Sequence, residues 1–455
     1  MELNSNYLKN KSGFLIGAGG SGMSSLGHIL LDFGIELYGF DIKKNSAIIN
    51  LENKGFKFIG DLQDLNSIDF AVFSSAIDKN NNEYYQFFQK KGTPLFHRSQ
   101  IMHAIFNSKK SISVAGSHGK TSTTTMIAQI LLQSNLNPSI MIGGETSLLQ
   151  GIGGRYDSGN WGVYESDESD GTFLNHHADI KVLTNIDNDH LDFYKSSESL
   201  SMAFQKYLFD SINSVIIACL DDPGIIEIFK DINYSKKFIL YSNKQINENQ
   251  ISYTINNNIL NFNKNNLNYS VSIPIHGDHF LKNALASILT CEIVGIPIES
   301  SIKILNNFNG VKRRMEFKGE SKGILLYDDY GHHPTEIKVV TETLNKIKNN
   351  NARSIVVFQP HRYTRTRDHY MEFGESLSNC DYIFLLPIYS AGEIPIPGIN
   401  SELITKSLST NFQLLSGELE RDCIFLKNFI RRDDVILTLG AGNVYEWGEF
   451  LLKLV

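Results

Sequence analysis

Ser111-Ile-Ser-Val-Ala-Gly-Ser-His-Gly-Lys-Thr-Ser-Thr-Thr-Thr-Met-Ile-Ala-Gln-Ile-Leu-Leu132 is the stretch from which the fold can be read. Ile112 to Ala115 predicts a short buried strand and Gly116-Ser-His-Gly119 a tight turn. Lys120-Thr121 opens an amphipathic helix with Met126, Ile127, Ile130 and Leu131 on its inner face. A strand, a glycine turn and a helix N-terminus together make an anion site, because the turn's N–H groups converge and the helix dipole favours negative charge. Lys120 adds a point charge, and the Thr121 hydroxyl suits a phosphate-bound Mg²⁺. The strict phosphate-loop pattern needs a glycine at position 114, where Val114 stands. The loop is therefore a shortened GxxGKT: Gly116, Ser117, His118, Gly119, Lys120, Thr121, with Ser122 behind it. The alternative is a solvated Gly/Lys turn ahead of a helix.

Composition bounds what surrounds this loop. At 455 residues, two or three domains are expected, and 42% hydrophobic with 20% charged residues is globular. A net charge of −7 argues against bulk binding of nucleic acid or anionic membrane, while leaving room for a local basic pocket. Cys219, Cys291, Cys380 and Cys423 are scattered without a CxxC, which favours reduced, buried thiols over disulfides or zinc. The polar start MELNSNYLKNKS lacks a signal-peptide core, and no apolar run reaches spanning length. A cytoplasmic protein is expected.

Upstream of the loop, Gly13-Phe-Leu-Ile-Gly-Ala-Gly-Gly-Ser-Gly22 predicts a strand running into Gly17-x-Gly19-x-x-Gly22 and a helix. A second strand, ELYGFD, ends at Asp41, about the right distance to meet a ribose hydroxyl. Alone, this motif says that a pyrophosphate-bearing ligand can lie over the turn, not which nucleotide; glycines needed only for strand–helix packing are the alternative. AVFSSAI (71–77) and TPLFHRSQIM (93–102) bring Ser74, Ser75, His97 and Arg98 to strand ends, where ligands of such sheets collect. Ser74, Ser75 and His97 are candidate lining.

Downstream, Asn160-Trp-Gly-Val-Tyr-Glu-Ser-Asp-Glu-Ser-Asp170 carries an acidic cluster to a strand end, and Ile180 to Asp187 leads into Asn188-Asp-His-Leu-Asp192. Both strands are expected beside the loop strand, bringing Glu165 and His190 near Thr121. That set suits a divalent metal; a general-base pair and a solvated acidic loop are the alternatives. The asparagine-rich segment 233–272 predicts exposed hairpins without chemistry. Within 273–295, a turn plus a buried helix, His279 and Asn283 are four apart and share a face that can reach a nucleotide base, or simply pack. Phe308 to Arg314 reads as a hinge with a basic end. The last third restarts the strand–helix pattern with ILLYDDY (324–330), SIVVFQP (354–360), DYIFLLPIY (381–389) and DDVILTLGAGN (433–443). Its histidines and arginines at adjacent strand ends suit carboxylate and phosphate, since guanidinium binds both through a bidentate fork. The alternative is a solvated arginine run.

Together these motifs resemble the Mur ligase family over essentially the whole chain. GSHGKTSTT (116–124) is similar to the family's ATP loop, and ESDESD (165–170) and TNIDNDHLD (184–192) to the segments that supply metal ligands. GAGGSGM (17–23), DDYGHHPTE (328–336) and FQPHRYTRTRD (358–368) resemble the alanine-adding branch. The resemblance implies an α/β fold of three domains: a Rossmann-like UDP-sugar domain (1–108), a central P-loop ATPase-type sheet (109–311) and a Rossmann-like amino-acid domain (312–455). It implies ATP and Mg²⁺ as cofactors and UDP-N-acetylmuramate and L-alanine as substrates, joined through an acyl phosphate. Neither nucleic acid nor membrane is implied as a partner, and the chain is expected to be a monomer or homodimer.

Roles carry over by motif. Gly17, Gly19, Gly22, Asp41, Ser74, Ser75 and His97 are implied on the UDP-sugar. Gly116, Ser117, His118, Gly119, Lys120, Thr121, Ser122, His279, Asn283, Arg314 and Asp328 are implied on the nucleotide. Thr121, Glu165 and His190 would ligate metal; Lys120, Glu165, His190, His332 and Arg365 would catalyse; Tyr330, His332, Arg362 and Arg365 would hold substrate. Phe280, Met315 and Pro387 depart from the family's asparagine, phenylalanine and carboxylate. Two rival readings stand beside this one, an NAD-dependent oxidoreductase and a non-catalytic UDP-sugar sensor. The second is disfavoured because Lys120, Thr121, Glu165 and His190 are all present.

Overall fold

The computed structural model describes residues 3–62, 65, 67–211, 213–230, 237–246, 250–349 and 351–455. Three sheets organise them. The first contains β1 (Ser12–Ile16), β2 (Glu36–Phe40), β3 (Lys57–Phe58), β4 (Phe70–Phe73) and β5 (Leu95–His97), in the all-parallel order β3-β2-β1-β4-β5. Strand β1 is buried on both faces, as a covered parallel strand must be. Phe14 packs among Tyr84 and Phe88 on one side, and Leu15 against Leu26 and Ile29 on the other. The order reverses between β1 and β4, which opens a crevice at their carboxyl ends.

The second sheet contains β6 (Lys110–Ala115), β7 (Ser139–Thr146), β8 (Ile152–Arg155), β9 (Trp161–Glu165), β10 (Ile180–Leu183), β11 (Val215–Cys219), β12 (Phe238–Ser242), β13 (Ile251–Asn256), β14 (Ile259–Lys264) and β15 (Leu267–Ser272). Its order is β15-β14-β13-β12-β11-β10-β6-β9-β7-β8. Loop strand β6 thus lies between β9 and β10, parallel to both, so three polar strand ends converge at one place. The asparagine-rich segment forms the antiparallel meander β13–β15; its residues 233–236 and 247–249 lie outside the described residues.

Helix Lys120–Gln133 differs from the amphipathic expectation. Met126, Ile127, Ile130 and Leu131 are buried, but so are Thr123, Thr124, Thr125 and Gln129. Two helices cover the polar side: Ser287 Oγ donates to the Thr123 carbonyl (3.3 Å), and Gln129 Nε2 to the Ile304 carbonyl (3.4 Å). The threonines can be buried because Thr124 and Thr125 donate to carbonyls one turn back, at 2.9 and 2.7 Å.

By contacts the chain forms two compact units, residues 1–274 with 280–309, and 275–279 with 310–455. Inside the first unit, helix Ser21–Asp32 packs directly on the β7–β8 pair. A Cβ on Gly153 would lie 2.1 Å from Ser25 Oγ, and one on Gly154 only 1.8 Å from the Ser25 carbonyl oxygen. Ser25 Oγ also donates to the Ile142 carbonyl at 2.8 Å. That glycine-on-backbone contact joins the first two sheets into one body.

The second unit holds β16 (Glu316–Ser321), β17 (Ile324–Asp329), β18 (Ser354–Phe358), β19 (Tyr382–Leu385), β20 (Asn411–Leu414) and β21 (Val435–Leu439), ordered β16-β17-β21-β18-β19-β20. All pairs are parallel except β16 with β17. Ile355, Val357, Phe384, Ile436 and Trp447 fill its core. Among the described residues, no helix is long and apolar enough to cross a membrane.

Candidate functional site

The centre of the first unit is the turn after β6. Gly116 has φ 131° and Gly119 φ 83°, backbone that disfavours a side chain. A Cβ on Gly116 would also lie 2.2 Å from Thr184 Oγ1 and 2.9 Å from the Asn185 carbonyl oxygen. The segment following β10 clamps this turn. Asn185 Oδ1 accepts from His118 N (2.8 Å), its Nδ2 donates to the His118 carbonyl (2.9 Å), and Thr184 Oγ1 donates there too (2.6 Å). His118 Nε2 lies 3.0 Å from Asp187 Oδ2, and Ser117 Oγ accepts from Asp187 N at 2.8 Å.

Lys120 folds back over the turn. Its Nζ donates to the Gly116 carbonyl (2.7 Å) and the Ser117 carbonyl (3.3 Å), and meets both carboxylate oxygens of Glu168 at 2.8 Å. Burial opposes the lysine's charge, but Glu168, Asp167 and Glu165 outweigh it and hold its pKa above the usual lysine range. Thr121 Oγ1 lies 3.3 Å from Glu165 Oε2, while Glu165 Oε1 accepts from Gly143 N at 2.8 Å. His190 reaches Glu168 instead, its Nε2 3.7 Å from Oε1. Ser122 is buried in the first helical turn, and the Asn283 amide sits against Gly119, where a Cβ would lie 3.1 Å from Asn283 Oδ1. His279 belongs to the other compact unit. Phe280 is buried. A hydroxyl and a carboxylate, Thr121 and Glu165, offer the hard oxygen donors that Mg²⁺ prefers; an imidazole is the less usual donor.

A second pocket of about 440 Å³ opens at the β1/β4 crevice, lined by Gly17, Gly22, Asp41, Ser74, Ser75 and, from the acidic loop of the second sheet, Asp170. Gly19 and His97 support it from behind. Asp41 Oδ2 accepts from Gly19 N (2.8 Å), and His97 Nε2 bonds Ser75 Oγ (3.0 Å) while its Nδ1 faces Ser99 Oγ (2.9 Å). Burial holds the His97 pKa down. Arg98 enters the same pocket over the start of helix Ser21–Asp32, where a Cβ on Gly22 would lie 1.7 Å from its Nη1. It approaches Asp167 at 4.0 Å. Burial works against the Asp167 charge, but Lys120, the Ser169 amide and Arg98 hold its carboxyl below the usual range.

In the second unit, Asp328 is 1% exposed and engaged by Arg313 Nε (3.0 Å) and Thr438 Oγ1 (2.6 Å), which makes it an internal anchor of the sheet. Arg313 is held between the rings of Tyr330 and Tyr445, and Arg314 lies over Tyr330 and 3.6 Å from Glu336. Met315 is buried, its N–H on Asp329 Oδ2 at 2.7 Å. His332 packs edge-on against Tyr330, and its Nδ1 lies 3.1 Å from the Tyr330 carbonyl. His361 stacks on Tyr389, 5.6 Å between centroids, and burial with neighbouring His332, Arg365, Arg362 and Arg313 pushes its pKa down to about 3. Arg362 carries φ 72° and starts the helix that bears Arg365. Tyr330, His332, His361 and the arginines thus gather at the carboxyl ends of β17 and β18.

The residue reading missed four contributors. Glu168 and Arg98 lay inside quoted motifs without a role, and Asn185 and Asp187 were read only as strand. The signal for Glu168 was a second glutamate three residues after Glu165, but strand period alone could not aim it at Lys120.

Comparison with known proteins covers all three sheets. Residues 15–110 match the model described as Mur ligase family, catalytic domain; 114–291 match the Mur ligase middle domain; 313–442 match the Mur ligase, glutamate ligase domain. A UDP-N-acetylmuramate–L-alanine ligase of Dictyoglomus turgidum is 40% identical over 451 residues, 96% of this chain and 95% of that protein. Among solved structures, a UDP-N-acetylmuramate-alanine ligase from Thermotoga maritima aligns with TM-score 0.78 and 22% identity, over 98% of this chain and 99% of that one. A MurF ligase from the same organism, in complex with ADP, aligns with TM-score 0.63 and 17% identity over 91% and 94%. The turn that cradles Lys120, the crevice beside β1 and the arginine-lined strand ends each fall within a matched segment, and the chain belongs to the Mur ligase family.

Proposed function

We propose that this protein joins L-alanine to the lactyl carboxylate of UDP-N-acetylmuramate at the expense of ATP, releasing ADP and phosphate, as a cytoplasmic step of peptidoglycan precursor synthesis. The observation that carries the reading is the geometry at the β6 turn: an ammonium folded over the loop, with a threonine hydroxyl and a glutamate side by side at the next strand end. Relatives of nearly full length bear the name of that activity.

The chemistry follows from the groups present. A carboxylate does not acylate an amine at neutral pH until one of its oxygens becomes a leaving group. Lys120 and the turn's N–H groups stabilise negative charge on the γ-phosphate as the lactyl carboxylate attacks it, which is positioning plus electrostatics. Thr121 and Glu165, with His190, would hold Mg²⁺, which when bound neutralises phosphate charge. The acyl phosphate then meets alanine's amine, and the tetrahedral adduct collapses with loss of phosphate. Arg98, at the β1/β4 pocket with Gly17, Gly22, Ser74 and Ser75, is suited to the anionic part of the UDP-sugar. In the second unit, Arg362 and Arg365 are suited to alanine's carboxylate, and Tyr330 and His332 to its amine. We assign residues 1–108, 109–311 and 312–455 to UDP-sugar, ATP and amino-acid binding respectively.

The test is a coupled ADP-release assay. Release that requires both UDP-N-acetylmuramate and L-alanine supports the proposal. Release with either alone, or turnover of NADH in its place, overturns it.

A further inference from the structure

We infer that Glu168 is a positioning residue that stands in for nucleotide phosphate on Lys120, so that nucleotide binding exchanges one anion for another. This rests on the reading of the β6 turn as the ATP site. An ammonium has three N–H donors. Lys120 Nζ already faces four acceptors: the carbonyls of Gly116 and Ser117 and both oxygens of Glu168. A phosphate oxygen reaches this ammonium only by displacing one of them.

The two carbonyls are poor candidates to leave. They belong to the turn itself, which Thr184, Asn185 and Asp187 clamp through five hydrogen bonds to Ser117 and His118. The Glu168 backbone is also pinned, its carbonyl accepting from Tyr194 OH at 2.6 Å and from Gly171 N at 3.0 Å. Only the Glu168 side chain is free to rotate off, and His190 Nε2, 3.7 Å from its Oε1, is the next polar group it meets.

The carboxylate is 1% exposed and the lysine side chain 16%, so each is the other's principal neutralising charge. Without a nucleotide, Glu168 keeps the ammonium aimed into the turn instead of extended into solvent. A phosphate that replaces it leaves the local charge balanced. The carboxylate therefore pre-organises Lys120 and at the same time competes with the nucleotide.

The two roles separate by sign. Glu168→Gln removes the competing charge and leaves Lys120 buried without a counter-ion, which destabilises the free protein. Nucleotide then restores the missing charge. Expected are a lower thermal midpoint without ligand, a larger rise on adding ATP with Mg²⁺ in the absence of other substrates, and a dissociation constant for ATP lower by roughly tenfold, about 1.4 kcal/mol. Affinity for UDP-N-acetylmuramate should not change. Glu168→Asp keeps the charge but shortens its reach, and should move the same quantities in the same directions by less; it carries the test if the glutamine variant does not fold. A merely structural Glu168 would lower both the midpoint and ATP affinity. Equal or weaker ATP binding by the variants, with wild-type protein binding ATP normally, overturns this inference alone. Failure of the wild-type protein to bind ATP overturns the reading of the loop beneath it.

Discussion

The two glycine turns of the first unit share one grammar and differ in almost everything around it. Each follows a buried parallel strand and opens a helix, Gly17 to Gly22 after β1 and Gly116 to Gly119 after β6. The first is held lightly, by Asp41 on Gly19 N and by Asn45 Nδ2 on the Gly19 carbonyl. Its cation, Arg98, comes from another strand end. The second carries its own cation, Lys120, and is clamped on two sides by the strand ends of β9 and β10. A loosely held turn with a borrowed guanidinium suits a large ligand that is bound but not attacked at the turn. A rigid turn with an internal ammonium suits charge that must be stabilised while a bond is made.

The largest effect expected from this comparison is at Lys120. Lys120→Ala should abolish ADP release, since a charged contact to phosphate is worth about 1.5–3 kcal/mol in binding. In the transition state such contacts count for more, with rate losses of about 10²–10³. Affinity for UDP-N-acetylmuramate, read by calorimetry, should stay nearly intact. If it fell as far as ATP affinity, the two turns would not serve separate ligands.

A glycine at each turn gives the next contrast. Gly116→Ala forces a side chain onto Thr184 and the Asn185 backbone at φ 131°, and should cost roughly 3 kcal/mol or more in denaturant unfolding. Gly22→Ala meets only the movable end of Arg98. Its fold should stay within about 1 kcal/mol of wild type, because alanine is favoured over glycine in a helix. Displacing the guanidinium should instead weaken UDP-sugar binding, by about 1.5–3 kcal/mol if a charged hydrogen bond is lost. Unchanged UDP-sugar affinity in Gly22→Ala would remove Arg98 from that site.

The smallest effect concerns the histidines behind the two turns. His118 is tied to Asp187 within the clamp, whereas His28, on the helix of the first turn, is 3% exposed. Burial, reinforced by Lys54 and opposed by Asp32, pushes the His28 pKa down to about 4. A folded pKa below the unfolded one gives stability that is complete above about pH 6.5 and lost as pH falls toward 4. The loss runs at up to about 1.4 kcal/mol per pH unit. His28→Leu should flatten that dependence between about pH 6.5 and about pH 4, measured by urea unfolding; an unchanged slope would assign the acid sensitivity elsewhere.

Local sequence determined the elements and their chemistry. The β6 strand, its shortened loop and the helix start are legible because glycine placement, the Lys-Thr pair and apolar spacing each depend on neighbours within a few residues. The same holds for the parallel strands with polar ends, from which Glu165 and His190 could be expected near Thr121. What the tertiary structure alone decided is where side chains from distant segments meet. Glu168 lies three residues beyond Glu165, yet it is the turn after β9, pinned by Tyr194, that points it at Lys120. Asp41 bonds Gly19 instead of standing open, and Asp328 is spent on Arg313 and Thr438, because those partners come from elements the chain supplies 15 to 110 residues away. The helix behind the loop lost its polar face to two helices that no local period announces. A strand's period of two says which face a side chain takes; which charge it finds there depends on loop closure and packing over the whole unit.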